Sequence, residues 1–213
     1  MKPANAPSLS ALVESEFNTI ANIGQIKRYA KDTVVLSEGD QSYSLYAIIR
    51  GQVKVFLCNE DGNEIILNIL NAGDYFGEMS LLDDNARSAS VMTLEESELT
   101  IISRQDFRSC MAKNPEVVER IMLDLITRLR TANRKIGSLA FLDVYGRVYS
   151  TLVQLAREQD GRLIVATKMS HQNIANIVGA SREMVSRIMR NLVKEGYILI
   201  EQGKKIVICE KPL

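Results

Sequence analysis

A chain of 213 residues with 46% hydrophobic and 24% charged side chains, 12 glycines and 4 prolines has the make-up of an ordinary globular protein with material for one or two cores, which excludes disordered, collagenous and disulfide-stapled classes. No apolar run approaches the ~18 residues of a membrane span, and Glu14 and Glu16 fall where a secretory signal would be apolar, so a cytoplasmic protein without a membrane partner is expected. The net charge of zero conceals two opposite halves: residues 1–112 carry 9 Lys and Arg against 16 Asp and Glu (−7), and residues 113–213 carry 17 against 10 (+7), a pattern that points to a basic part meeting nucleic acid or another anionic surface.

From Tyr29 to Ile102 short apolar runs alternate with turn residues, and six strands are predicted: Thr33–Leu36, Leu45–Ile49, Val53–Leu57, Ile65–Leu70, Ala89–Met92 and Leu99–Ile102. Gly39, Gly51, Gly62 and Gly73 punctuate them at intervals of 12, 11 and 11 residues. Asp61-Gly62 is a two-residue hairpin signal. This spacing favours a small antiparallel barrel or roll.

At Pro115 the period changes. Proline suits a first helical turn, where its missing N–H has no partner to lose, and steps of three and four residues then pick out Val118, Met122, Leu125, Leu129, Ala132, Ile136 and Leu139. The other faces carry Arg120, Asp124, Arg128, Arg130, Arg134 and Lys135. One narrow apolar seam on a long charged helix predicts pairing with a second copy through residues 115–140; the alternative is a helix lying on its own barrel. After a break near Asp143, Val148–Ala156 is predicted helical, with a turn at Asp160-Gly161.

A compact two-helix unit follows. Ser170 caps a predicted helix from His171 to Val178, Gly179 ends it, and Ser181 caps a second from Arg182 to about Glu195, closed by Gly196. Tyr197–Ile200 and Ile206–Cys209 form a terminal hairpin or wing. Ala175 offers a small residue for close helix approach, Gly179 a positive-φ turn, and Val185 an inward apolar contact, with Ile174, Val178 and Ile188 completing the buried face; together they make a helix-turn-helix. The second helix of such a unit lies in the DNA major groove with its first turns on base edges. Those turns carry Arg182, Glu183 and Arg187: arginine donates bidentately to guanine, and glutamate accepts from cytosine. Ser170, His171, Gln172 and Ser181 stand where helix N-termini hold backbone phosphates.

A second cluster is Phe76–Leu82 followed by Arg87-Ser-Ala-Ser-Val91. Gly77 permits close backbone approach to a ligand, Glu78 offers a carboxylate to sugar hydroxyls, and Arg87 with the Ser88 hydroxyl offers charge and a hydrogen bond to a phosphate. Taken alone, such a loop is more often a surface ion pair.

The order of these pieces resembles the CRP/FNR superfamily of bacterial transcription regulators, from about Ile26 to Cys209, and is most similar to its cyclic AMP receptor branch. The carriers are Gly77-Glu78-Met79-Ser80-Leu81 with Arg87-Ser88-Ala89, Leu139-Ala-Phe-Leu-Asp143, and Ile177-Val-Gly-Ala-Ser-Arg-Glu-Met-Val-Ser-Arg187. The resemblance implies an α+β chain: a cyclic-nucleotide-binding β-roll over residues 1–112, a dimerisation helix and hinge over 113–142, and a winged helix-turn-helix over 143–213. It implies cyclic AMP as effector, bound by a phosphate-binding cassette that includes Gly77, Glu78, Met79 and Ser80, with Glu78 at the ribose and Arg87 and Ser88 at the cyclic phosphate. It further implies double-stranded DNA with TGTGA-like half-sites, a homodimer, and RNA polymerase as partners, with Arg157–Arg162 as one surface open to polymerase.

One departure concerns the base. Where that branch presents a Thr-Ser pair to adenine, this chain has Ala132 and Asn133; alanine offers no hydroxyl, while asparagine pairs with a base edge. Cyclic GMP, cyclic di-GMP or no effector remain alternatives, as does a nucleotide-binding module acting on a protein partner. No iron–sulfur cluster, haem or metal is expected: Cys58, Cys110 and Cys209 are far apart, and His171, the sole histidine, opens a DNA-binding helix. No catalytic motif is present, so no enzyme is expected.

Overall fold

The computed structural model describes residues 14–165, 169–201 and 205–209. The chain separates into two compact units. One comprises the residues up to Leu57 together with Leu67–Asn133, and the other comprises Cys58–Ile66 and Arg134–Leu213.

The first unit begins with α1 (Glu14–Ala21), then β1 (Gln25–Tyr29), β2 (Val34–Leu36), β3 (Ser44–Arg50), β4 (Gln52–Cys58), β5 (Glu64–Asn71) and β6 (Tyr75–Phe76). Helix α2 (Glu78–Asp83), β7 (Ser90–Thr93), β8 (Ser97–Ser103) and α3 (Arg104–Lys113) follow, and α4 (Pro115–Phe141) starts here. Two four-stranded sheets, ordered β1-β8-β3-β6 and β2-β7-β4-β5, build a roll; the pairings with a resolved register are antiparallel. All six predicted strands are present; β1, β6 and the short helices α1, α2 and α3 are additions.

Strand alternation explains the two cores of this unit. On β3, Leu45 and Ala47 point to one side, joining Tyr75, Leu81, Ile102, Phe107, Val117 and Ile121 beneath the helices. Ile48 points to the other, joining Leu36, Val53, Leu70, Phe76, Val91 and Leu99 inside the roll. Because both faces of the central sheet are covered, β3 and β8 have neighbouring residues buried on opposite faces, Ala47 and Ile48 on β3 and Leu99 and Thr100 on β8.

Helix α4 runs 27 residues, about 40 Å at 1.5 Å per residue. It presents two stripes. Val117, Ile121 and Asp124 are buried on the roll, whereas Met122, Leu129 and Ile136 of the predicted seam are 52%, 61% and 63% exposed. Leu125, placed in the seam by its spacing, packs on the core under the helices instead. One face of this helix therefore lies on its own roll, and the exposed stripe leaves a second face open.

In the second unit Asp143 caps α5 (Val144–Leu155) by accepting from the Gly146 N–H at 2.8 Å. The residues after it differ from expectation: Ala156 starts a strand. β9 (Ala156–Gln159) and β10 (Arg162–Val165) form a hairpin turning through Asp160 and Gly161, both at positive φ. Helices α6 (His171–Val178) and α7 (Arg182–Lys194) precede β11 (Ile198–Glu201) and β12 (Lys205–Ile208), and the sheet order is β11-β12-β10-β9. The predicted wing tip at residues 202–204 lies outside the described residues. Val148, Leu152, Ile174, Val185, Ile188 and Leu192 form the shared core of this unit.

Phe107 is fully buried, so Phe107→Ala is expected to lower stability by about 3–5 kcal/mol through lost transfer energy and the cavity left behind, measured as a shift in urea unfolding.

Candidate nucleotide pocket and nucleic-acid interface

The pocket of the first unit is built at the end of β6. Gly77 adopts φ 86°, and a Cβ placed there would stand 2.7 Å from Arg87 Nη1 and 2.8 Å from the Ser44 carbonyl oxygen. Only glycine supplies both that angle and that clearance. The turn launches α2, whose Glu78 and Ser80 are buried, as is Arg87 in the loop before β7.

Arg87 is 3% exposed. Its Nε donates to Ser42 Oγ (2.8 Å), Nη1 to the Gly77 carbonyl (2.8 Å) and Ser80 Oγ (2.7 Å), and Nη2 to the Ser44 carbonyl (2.8 Å). Among the described residues every one of these acceptors is neutral. A buried cation without a paired anion is costly; burial lowers its pKa, and Tyr46, Glu78 and Asp40 oppose that only from a distance. Four of the five guanidinium hydrogens are taken, and one with the full charge is left for an incoming anion. Ser88 donates to Met79 Sδ at 3.4 Å, and Met79 is half exposed.

Glu78 has a partner that the sequence reading counted only among the charges of the long helix. Arg128 of α4 approaches Glu78 Oε1 with Nη1 at 3.3 Å, donates from Nη2 to the Tyr75 carbonyl at 2.9 Å, and sets Nε 2.8 Å from Asp124 Oδ2. Its guanidinium lies over the Tyr75 ring, 4.6 Å from the centroid. Burial by itself would lower the Arg128 pKa, but Glu78, then Asp124, Tyr75 and Asp74 outweigh it and the pKa is raised. The Tyr75 phenol is pushed up, by burial foremost and by Asp124 among other neighbours. The only sequence signal was position, since Asp124 and Arg128 stand two turns and one turn before Ala132. Ala132 and Asn133 are exposed on α4, with no hydrogen bond recorded to the loop of Glu78 and Arg87.

In the second unit each predicted cap is present. Ser170 Oγ accepts from the Asn173 N–H (3.1 Å) and Ser181 Oγ from the Met184 N–H (3.2 Å). Gly179 lies at φ 66° between the helices, and Ala175, fully buried, allows them to approach. Arg182, Glu183 and Arg187 line the exposed start of α7. Arg187 rests on Met184 Sδ at 2.9 Å; Arg182 and Glu183 have no hydrogen-bond or ion-pair partner among the described residues. Gln172 donates to Asn176 Oδ1 (2.7 Å), and His171 Nδ1 lies 2.8 Å from Ser186 Oγ, joining the start of α6 to the middle of α7.

Known proteins share both units. A cyclic nucleotide-binding domain model matches residues 26–114 and a Crp-like helix-turn-helix domain model matches residues 146–212. A nucleotide-binding roll and a helix-turn-helix on one chain define a cyclic-nucleotide-responsive, DNA-binding transcription regulator. The chain is 35% identical over 187 residues to the cAMP-activated global transcriptional regulator CRP of Escherichia coli, covering 86% of this chain and 89% of that protein. It is 36% identical over 189 residues to the cAMP-activated regulator Vfr of Pseudomonas aeruginosa, covering 85% and 88%. Among solved structures it matches the c-di-GMP responsive regulator CLP of Xanthomonas campestris with a TM-score of 0.78 at 28% identity, over 92% of this chain and 99% of that one. The chain belongs to the CRP/FNR family, in its CRP branch. These relatives are transcription regulators rather than enzymes. No described helix is long and apolar enough to cross a membrane.

Gly77→Ala is expected to cost about 1–3 kcal/mol from positive-φ strain and to displace Arg87, read as a lower thermal midpoint.

Proposed function

We propose that the protein is a homodimeric regulator in which a cyclic nucleotide, cyclic AMP first, alters the pairing of two α4 helices and thereby the spacing of two α7 helices on a palindromic operator. In this reading residues 1–112 take up the effector, 113–142 pair through the exposed Met122, Leu129 and Ile136 stripe, and 143–213 bind DNA. The operator half-sites are TGTGA-like and lie roughly 34 Å apart, one helical turn, matching the two-fold axis. Arg182, Glu183 and Arg187 read bases; Ser170, His171, Gln172 and Ser181 hold phosphates. RNA polymerase is the further partner, and the cytoplasm the place of action.

The observation that carries nucleotide control is Arg87, a buried guanidinium surrounded by neutral acceptors. A phosphodiester supplies the missing charge, with Ser88 beside it, and Glu78 accepts from the sugar. Charge also favours a mononucleotide. Cyclic di-GMP brings two phosphodiester charges, whereas Arg128, the partly buried cation beside Glu78, already faces two carboxylates. Ala132 and Asn133 then meet the base, with Asn133 as the hydrogen-bonding member. The names of the CRP and Vfr relatives support cyclic AMP; that of the CLP structure favours cyclic di-GMP as the second reading.

Calorimetric titration with cyclic AMP, cyclic GMP and cyclic di-GMP, repeated with a palindromic duplex at fixed salt, tests the reading. Binding of cyclic AMP with a changed duplex affinity is expected; duplex binding with no response to any of the three overturns nucleotide control. Arg87→Leu is expected to abolish nucleotide binding while sedimentation still reports a dimer. Arg182→Ala is expected to cost about 1–3 kcal/mol of DNA affinity and to relax preference at one base pair; an equal loss on every sequence would remove that residue from base reading.

A further inference from the structure

The pocket holds a carboxylate that the proposed function does not use. Asp124 is 4% exposed, on the stripe of α4 that faces the roll, and neither of its carboxylate oxygens has a hydrogen-bond partner; its contact with Arg128 is an ion pair only. Removing a carboxylate from water costs several kcal/mol unless it is well paired, and here two buried carboxylates, Glu78 and Asp124, share one guanidinium. Arg128 divides its donors accordingly. Nη2 donates to the Tyr75 carbonyl at 2.9 Å and Nη1 alone to Glu78 at 3.3 Å, while Nε faces Asp124 at 2.8 Å as an ion pair without a hydrogen bond. The strong arrangement for such a pair is a fork of two parallel N–H···O bonds, and Arg128 makes no fork with Glu78.

We propose that Asp124 is a positioning residue for nucleotide recognition. By holding Arg128 it prevents full neutralisation of Glu78 and keeps that carboxylate free to accept a hydrogen bond from the sugar. This inference rests on the proposed role of Glu78. In a 3′,5′-cyclic nucleotide the 3′ and 5′ oxygens are esterified, so the 2′-hydroxyl is the one sugar donor that Glu78 has available. Without Asp124, Arg128 swings onto Glu78 in a fork, and the 2′-hydroxyl then competes with a guanidinium. A purely structural Asp124 predicts the reverse pattern: loss of stability on removal, with no selectivity for one hydroxyl of the ligand.

The test is binding of cyclic AMP and of 2′-deoxy cyclic AMP to the full chain, its D124N variant and its D124E variant, each with a thermal melt. The unaltered protein is expected to prefer the 2′-hydroxyl ligand. D124N should bind cyclic AMP about tenfold more weakly, lose most of its preference over the 2′-deoxy analogue, and melt no lower than the parent, because a surplus buried charge has gone. D124E, which keeps the carboxylate, should retain the preference. An unchanged preference in D124N, or a D124N variant that unfolds or melts well below the parent, overturns the inference and makes Asp124 an ordinary member of a buried ion pair. If the unaltered protein binds cyclic AMP without preferring the 2′-hydroxyl, the sugar role of Glu78 falls; if it binds no cyclic nucleotide, the proposed function falls. Either outcome takes this inference with it.

Discussion

The candidate nucleotide site is organised by one buried guanidinium. Arg87 gathers acceptors from three separate stretches of chain: Ser42 and Ser44 at the start of β3, Gly77 at the end of β6 and Ser80 in α2. A guanidinium can organise so many partners because its donors diverge in a plane at fixed angles. The positive-φ turn at Gly77 keeps the carbonyl in reach and leaves room for the Nη1 atom. The same contacts leave its charge unpaired by any carboxylate among the described residues. The geometry that closes the loop thus also prepares it for an anion.

Arg128 is the complement of Arg87. It is partly buried, and it faces two carboxylates and a carbonyl. One cation lacks negative charge and the other has a surplus, and they contact the neighbouring residues Gly77 and Glu78. Because Arg128 belongs to α4, its contact with Glu78 ties the turn at Gly77-Glu78 to that helix. The opposite side of the helix exposes Met122, Leu129 and Ile136. Consecutive residues on a helix are about 100° apart, so one helix can present a stripe to the roll and another to a second copy without either disturbing the other.

The DNA-binding unit uses a different economy of parts. Its helices are stopped and started by local chemistry, Ser170 and Ser181 as caps and Gly179 as the left-handed turn, and its buried face consists of side chains on two short helices and their neighbour α5. This places Arg182, Glu183 and Arg187 on the open side, where no internal partner fixes Arg182 or Glu183. The bond between His171 and Ser186 ties the end of α6 that would hold phosphates to the middle of the helix that would read bases.

Sequence by itself determined what is local. Caps, glycine turns and the change of period from two to 3.6 depend on neighbouring residues, so six of the roll's eight strands, α4, α6 and α7 were legible, α6 and α7 to within a residue. The motif around Glu78 and Arg87 was legible as well, through its resemblance to a family. Tertiary structure decided what depends on distant partners. Strand β9 exists because Ala156–Gln159 pairs with β10, and without that partner the segment continues a helical pattern. Leu125 turns to the core under the helices rather than into the seam, because the roll covers that side of α4. Arg128 and Asp124 read as solvated charges along a helix, and only the packing of α4 beside Tyr75 and Glu78 withdraws them from water and sets them in the pocket. Helical spacing specifies which residues share a face, but the element packed against that face, brought there from some fifty residues away, determines whether a charge stays in water or becomes part of a site.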